Sequence, residues 1–499
     1  MPEQSTPPAT LAPAVVILAA GQGTRMKSAK PKVLHEICGR SLLGYSIKAA
    51  EELDPTAITV VVRHDRDAVA AHALEFDPKI IIADQDEVPG TGRAAQAALA
   101  ALEGSGFAGA NSGPVVITYS DTPLLDGPTL AQMLEQHTES GAAVTLLSTI
   151  IDNPHGYGRV VRAENGQVTA IVEEKDATDQ QRAIKEVNAG IYAVEPEVLQ
   201  RGLASLKKSS VSGELYLTDI VEFANKEGLP VSAVVIEDPL KVEGCNDKAT
   251  LAMLGTELNR RIVNKWMLAG VSVTDPATTW IDVDVELAPD VLIEPGVQLK
   301  GNTVIETGAI VGPDSTLTNI KVGPGAHVIR THGSDAEIGA NAEVGPFTYL
   351  RPGTVLGEKG KIGAYCEAKN AKIGTNSKVP HLSYVGDVEI GSGANLGAGT
   401  IIANYDGVNK HKTKIGDEVR IGSDSIIVAP VSIGSGAYTA AGSVITEDVP
   451  AGALGVGRAH QHNSTGWTAK RRAGTPAASA AIAASTTTGG TNGSAPQTN

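Results

Sequence analysis

Residues 415–434 read Ile415-Gly-Asp-Glu-Val-Arg-Ile421-Gly-Ser-Asp-Ser-Ile-Ile427-Val-Ala-Pro-Val-Ser-Ile433-Gly434, with isoleucine at every sixth position and glycine after three of the four. Helices repeat near 3.6 residues and ordinary strands near 2, so a period of six is neither. It is the signature of a parallel β-helix, in which each aliphatic side chain points inward and stacks on its equivalent one coil away. Outward from this stretch the period recurs at Ile338-Gly339, Val344-Gly345, Ile390-Gly391 and Leu396-Gly397, and earlier at Val285, Val291 and Val297. The regular Ile/Val spacing separates it from a Gly-rich disordered tract. Small residues and glycine are expected at the corners. Aromatic residues make up only 3% of the chain, as a narrow core without room for rings requires.

Two polar stretches are expected to interrupt the coil, Ala403–Thr413 and Lys378–Tyr384. Loops carried on a rigid scaffold are where binding and catalytic groups concentrate. His381 is a candidate base, because imidazole titrates near neutrality and can take a proton from an attacking amine. Arg351 and Lys369 suit a phosphate, and Tyr384, Asn395, Asn404 and Tyr405 offer hydroxyl and amide groups to a sugar.

N-terminal to the repeat, Lys248–Leu268 places Leu251, Leu254, Leu258, Ile262 and Trp266 three and four apart, which predicts an amphipathic helix. About 20 residues of helix reach about 30 Å, enough for a connecting arm. Before it, short apolar runs at Val15–Ala20, Ile58–Val62, Ile80–Ile82 and Val115–Thr118 alternate with helical patterns at Leu42–Leu53 and Arg93–Leu102. That order predicts an α/β domain with a mostly parallel sheet and helices on both faces. Ligands in such sheets sit at the carboxyl ends of the strands, so Gly21 and Asp121, each just past a strand, are expected to share one crevice. The first of these strands opens into Gly21 and Gly23 and then the cations Arg25, Lys27, Lys30 and Lys32. Glycine lets backbone N–H groups approach a ligand, and the cations suit phosphate oxygens. Met26 stands where a dinucleotide fingerprint needs its third glycine, and a P-loop Gly-Lys-Ser/Thr is absent. Asp121, in Tyr119-Ser-Asp-Thr-Pro123, supplies carboxylate oxygens beside the loop, where magnesium needs them.

With 499 residues, two or more domains are expected. The expected division is a disordered tail 1–13, a first domain 14–247, a linker helix 248–269, a β-helix domain 270–467 and a flexible low-complexity tail 468–499. Within that tail, Lys470-Arg-Arg472 reads as a solvated basic cluster. The formal net charge of −15 argues against nucleic-acid binding. Cys38, Cys245 and Cys366 are widely spaced, as in a protein of a reducing compartment, and a cytoplasmic location is expected. No run approaches the roughly 20 apolar residues that span a bilayer, so no membrane insertion is expected.

The string Leu18-Ala-Ala-Gly-Gln-Gly-Thr-Arg-Met26, with Pro31-Lys32 behind it, resembles the signature of sugar-1-phosphate nucleotidyltransferases. Further motifs follow in order: Gly156-Tyr-Gly-Arg159, the hairpin turn Glu164-Asn-Gly166, Ile171–Asp176, Val187–Ile191 and Val242-Glu-Gly-Cys-Asn246. Together with the repeat, they resemble the bifunctional bacterial N-acetylglucosamine-1-phosphate uridylyltransferase/glucosamine-1-phosphate N-acetyltransferase family over Val15 to about Trp467. The resemblance implies a Rossmann-like nucleotidyltransferase domain, a long helix and a left-handed β-helix, assembled as a homotrimer. It implies that Leu18, Ala19, Ala20, Gly21, Lys32, Tyr119, Ser120 and Asp121 hold the nucleotide and its phosphates, with Gln85, Gly90 and Thr91 on the base. By the same match Gly158, Glu173 and Asn188 hold N-acetylglucosamine, Asp121 and Asn246 bind Mg2+, and Arg25 and Lys32 act on the reacting phosphates. In the second half it implies that Arg351, Lys369, Tyr384 and Asn395 bind the amino-sugar phosphate. Ala398, Asn404, Tyr405, Ser423, Ala441 and Arg458 would line the acetyl-CoA site, with His381 as the base. Substrates would be glucosamine 1-phosphate, acetyl-CoA and UTP. Two rivals remain open at this point: a single-activity nucleotidyltransferase whose β-helix is purely structural, and a non-catalytic sugar-nucleotide sensor.

Overall fold

A computed structural model describes residues 11–107, 112–209 and 212–487. The disorder expected of residues 1–13 falls mostly on 1–10, outside the described residues. Residues 11–13 are irregular, and the Pro13 carbonyl accepts a hydrogen bond from Thr56 N (2.8 Å).

The first half is built on a nine-stranded mixed sheet. Its main path runs Val231–Ile236, Val144–Ile150, Glu186–Val194, Val115–Tyr119, Ala14–Leu18, Ala57–Val62 and Ile81–Asp84. The Ala14–Leu18 strand lies between two parallel neighbours, with Val15 opposite Ile58 and Val116. All five of its residues are buried, as a strand covered on both faces requires. The sheet departs from the expected mostly parallel order at Glu186–Val194, which runs antiparallel to both neighbours. That strand also bonds the Arg159–Arg162/Val168–Val172 hairpin, whose turn has Gly166 at φ 84°. Two apolar clusters, one on each face, are closed by helices including Leu42–Glu51 and Thr91–Gly104. The first begins at Ser41, whose hydroxyl accepts from Gly44 N (2.9 Å).

The helix Lys248–Leu268 forms over the expected residues, capped by Asp247 accepting from Thr250 N (2.8 Å). Its stripe serves both halves. Leu254 packs with Ile37, Leu42 and Tyr45, while Ile262 and Val263 join the core of the coils. Asn259 lies buried on the same face. It donates through Nδ2 to Thr279 O (2.8 Å) and accepts at Oδ1 from Ile281 N (3.0 Å), which splices the helix to the first coil. A second tie forms where Val283 N donates to Cys38 O (2.9 Å) and Arg40 pairs with Asp284 (2.5 Å).

The coil runs from the strand Ser272–Val273 to Leu454–Gly455, all in parallel register. On one face Leu292, Ile310 and His327 are neighbours, 18 and 17 residues apart, so each turn comprises three six-residue sides. Val344, Ile362 and Val379 stack through the centre, each at most 3% exposed. The rings lie outside, with Trp280, Phe347, Tyr349, Tyr365 and Tyr438 all exposed. The corners differ from expectation. Positive φ is taken by Asn and Asp (Asp314, Asn341, Asn376, Asp424) and by Arg330, Phe347, Tyr365 and Leu382 as well as by glycine. A corner side chain points to solvent, so its size is unrestricted, and Asn and Asp tolerate the left-handed conformation better than most residues.

Of the two expected interruptions, one is real. Across 404–412 the register jumps from 17 to 25 residues, as between Ile401 and Ile426. Lys378–Tyr384 instead continues the coil, because Val379 keeps the inward position and Leu382 makes the corner. The tail expected to be flexible contains helices at Trp467–Arg471 and Pro476–Thr487, in keeping with alanine's high helix propensity. Residues 488–499 lie outside the described residues.

Candidate active sites

The carboxyl ends of Ala14–Leu18 and Val115–Tyr119 open into two adjoining cavities of about 580 and 550 Å3 that share Tyr119, Asp121, Glu173 and Asn188 as walls. The first is also lined by Leu18, Ala20, Gly21, Lys32, Gln85, Gly90, Thr91 and Ser120, and the second by Arg25, Gly158 and Asn246. Ala19 is buried behind the loop, with its N–H bonded to Val61 O (2.9 Å). Thus most residues singled out in the first half meet at one crevice; Ala19 does not line it, nor do Lys27 and Lys30, both exposed, of which Lys30 pairs with Glu36 (2.8 Å).

Lys32 and Asp121, 89 residues apart, form an ion pair in the crevice, with 12% and 19% of their side chains exposed. Gly23 makes this possible: at φ 65° it lies so close that an added Cβ would sit 2.5 Å from Lys32 Cβ. The loop Val242–Asn246 is held to Asp121 by Cys245 N donating to its carbonyl (2.8 Å). A Cβ built on Gly244 would stand 3.6 Å from Asn246 Nδ2 and 3.9 Å from both Asp121 carboxylate oxygens. Glycine therefore keeps open a space walled by a carboxylate and an amide. The Asp121 carboxylate and the Oδ1 of the Asn246 amide, whose Nδ2 donates to Gly244 O (3.3 Å), are oxygen donors of the kind that suit a small hard cation taking its remaining ligands from phosphate and water. Among the described residues no group of three or more His, Cys, Asp or Glu could hold a metal by itself. Burial pushes the Cys245 thiol up to about 11, which keeps it protonated.

Where the loop enters the first cavity, Gly90 has φ 116°, and a Cβ there would lie 2.2 Å from Leu215 O. Leu215 N donates to Pro89 O (3.2 Å) and Leu217 N to Thr91 Oγ1 (3.1 Å), so the 212–218 segment closes over this loop. Gln85 donates to the Val88 and Gly90 carbonyls (2.9 and 3.3 Å). On the wall of the second cavity, Gly158 O accepts from Asn188 N (2.9 Å), and Asn188 donates to Tyr192 Oη (2.7 Å). Burial raises the Glu173 carboxyl above its ordinary range. Sequence reasoning missed Tyr216 and Thr218 on the cavity wall. They belong to no motif, and only the fold brings them there.

On the coils, Gly399 N donates to His381 O (3.1 Å), Asp424 N to Ala398 O (2.7 Å) and Gly442 N to Ser423 O (2.8 Å). His381, Ala398 and Ser423 therefore occupy the same corner position on three successive coils, and Ala441 follows on the fourth. Arg458 lies alongside, its Cδ 3.8 Å from where a Gly442 Cβ would be. The His381 backbone is fixed, since its carbonyl also accepts from Ser383 Oγ (2.7 Å), while the residue stays exposed. Immediately after this corner, Tyr384 stacks between Glu367 and Ile401, and Glu367 pairs with Arg351 (2.8 Å). Asn404 donates to Tyr384 Oη (3.5 Å) and to Asp387, which also accepts from Asn370 (2.7 Å). Lys369 joins this group. The neighbouring Lys410 ammonium holds its amine below the usual lysine value. Tyr405 instead lies out on the loop, donating to Gly407 O (2.6 Å). Asn395 stands on the adjoining face, three residues before Ala398, in register with Lys378 and Arg420. Lys410 and Asp387 were not singled out from sequence, although the polar insertion around Lys410 was.

Comparison with known proteins agrees with both halves. Residues 15–183 match the model of the MobA-like NTP transferase domain, and residues 412–447 match that of the bacterial transferase hexapeptide (six repeats). The bifunctional protein GlmU of Paenarthrobacter aurescens is 54% identical over 478 residues, 96% of each chain. That of Kineococcus radiotolerans is 53% identical over 98% of each chain. That of Corynebacterium glutamicum is 53% identical over 94% of this chain and 97% of its own. With likeness of this depth running almost end to end, through crevice, arm and coils alike, the chain belongs to the bifunctional GlmU family.

Proposed function

We propose that this chain makes UDP-N-acetylglucosamine, a precursor of peptidoglycan, in two steps at two sites. On the β-helix the amine of glucosamine 1-phosphate attacks the thioester carbonyl of acetyl-CoA. His381 accepts the ammonium proton, and the backbone N–H of Ala398 receives the developing oxyanion. The carbon–sulfur bond then breaks and coenzyme A leaves, with no acyl-enzyme. Arg351 and Lys369 hold the phosphate, Tyr384 and Asn395 the sugar, and Asn404, Tyr405, Ser423, Ala441 and Arg458 the acetyl-CoA.

In the crevice the phosphate of N-acetylglucosamine 1-phosphate attacks the α-phosphorus of UTP, and pyrophosphate leaves. Lys32 turns from Asp121 toward the triphosphate, and Arg25 offsets charge on the leaving group. Mg2+ held by Asp121 and Asn246 would supply further positive charge to the phosphate oxygens. Catalysis here is by positioning and electrostatics. We place the enzyme in the cytoplasm as a homotrimer, the assembly expected of its hexapeptide coils.

The observation that carries the reading is the column His381–Ala398–Ser423–Ala441 beside a cationic, hydroxyl- and amide-bearing group. A β-helix serving only as a scaffold has no use for that set. In a reaction containing glucosamine 1-phosphate, acetyl-CoA, UTP and Mg2+, UDP-N-acetylglucosamine should form, and omitting acetyl-CoA should stop it. Omission should have no effect when N-acetylglucosamine 1-phosphate is supplied. Product formed from glucosamine 1-phosphate without acetyl-CoA would refute the order of steps.

A further inference from the structure

Tyr157 and Glu243 face each other across the sugar-side cavity. Both line it, neither is fully exposed, and Tyr157 Oη donates to Glu243 Oε2 at 2.7 Å over 86 residues of sequence. Tyr157 belongs to the loop that carries Gly158, and Glu243 to the loop that carries Gly244 and Asn246. Each loop is otherwise fastened separately. The Gly158 loop is held by Arg159, whose side chain is only 2% exposed and which donates to Tyr157 O and to Glu174 Oε2 (2.6 Å). Glu174 also accepts from Gly156 N (3.3 Å), and the Arg159 hydrogen bond holds its carboxyl below the ordinary range. The Asn246 loop hangs from Asp121 through Cys245 N. Among the described residues, the phenol–carboxylate hydrogen bond is the side-chain link between the two loops.

We propose that Tyr157 and Glu243 are positioning residues whose hydrogen bond straps the sugar loop to the cation loop. Sugar-phosphate binding and cation binding are thereby coupled in the uridylyltransferase reaction. The inference rests on the reading of this crevice given above. Tyr157→Phe removes one hydroxyl and leaves the ring in place. Glu243→Ala removes the acceptor, and Glu243→Gln keeps a carbonyl oxygen for it.

The test is a double-mutant cycle on the full chain. It measures binding of N-acetylglucosamine 1-phosphate by calorimetry in the presence of Mg2+ and a UTP analogue whose α,β-bridge cannot be cleaved, alongside KM, kcat and the Mg2+ activation constant with UTP itself. Tyr157→Phe and Glu243→Ala should each weaken sugar-phosphate binding and raise the Mg2+ activation constant by about tenfold, the scale of one hydrogen bond to a charged group. KM should rise more than kcat falls. The double variant should be no worse than either single one, and Glu243→Gln should recover most of the loss. Acetyl transfer from acetyl-CoA, which uses other residues, should be unchanged in all and serves as the check on folding. Additive effects of the two substitutions, or a Tyr157→Phe enzyme indistinguishable from wild type, would overturn the strap. Wild-type protein that binds no sugar phosphate would instead overturn the reading of the crevice.

Discussion

Asp121→Ala should abolish pyrophosphate release from UTP and N-acetylglucosamine 1-phosphate, by at least about 10²–10³-fold, while acetyl transfer continues at the wild-type rate. Asp121 stands at the end of a central strand, where it holds Lys32 and faces Asn246 across the space that Gly244 leaves clear. Removing the carboxylate takes away the oxygen donors of the proposed cation site and leaves a partly buried ammonium unpaired. Asp121→Asn preserves the shape and tests the charge alone, and it should be nearly as inactive. The loss should stay local, because the coils have an apolar core separate from the two clusters around the sheet. Equal loss of both activities, measured as pyrophosphate and as free coenzyme A thiol on the same preparation, would show that the sites are not independent.

The reciprocal substitution, His381→Ala, should lower coenzyme A release by about 10²–10⁴-fold, the range for a general base, and leave uridylyl transfer intact. The residue is well placed for a clean test. Its carbonyl is bonded to Ser383 Oγ and Gly399 N, and its side chain lies outside the stacked core. Alanine keeps both backbone bonds and takes away only the imidazole. A His381→Ala enzyme that retains full acetyl transfer would assign proton removal to another group. The variant's oligomeric state, measured alongside, separates lost chemistry from lost assembly.

Much of this architecture is legible in the sequence for a physical reason. A six-residue period of buried aliphatics has one structural reading, and a 21-residue helix with a cap and a stripe announces both its ends. Gly21 and Asp121 could be assigned to one crevice because strand ends in an open α/β sheet converge there. Other features were hidden. Glu186–Val194 reads as apolar in either direction, so nothing in it announces an antiparallel strand. Phe347, Tyr365 and Leu382 turn corners because outward-pointing side chains are not limited in size, a freedom that composition does not reveal. The contacts that organise the sites join distant residues: Lys32 to Asp121, Tyr157 to Glu243, and Lys369 to Lys410. Each becomes visible only after the chain is folded.

The central claim is that one chain carries two active sites that work independently, the product of one serving as substrate of the other. The most direct test mixes the two inactive variants. Asp121→Ala alone and His381→Ala alone should each fail to convert glucosamine 1-phosphate, acetyl-CoA and UTP to UDP-N-acetylglucosamine. The mixture should make it, because the first variant acetylates and the second uridylylates. A mixture that stays inactive, although each variant retains its remaining single activity, would contradict that claim.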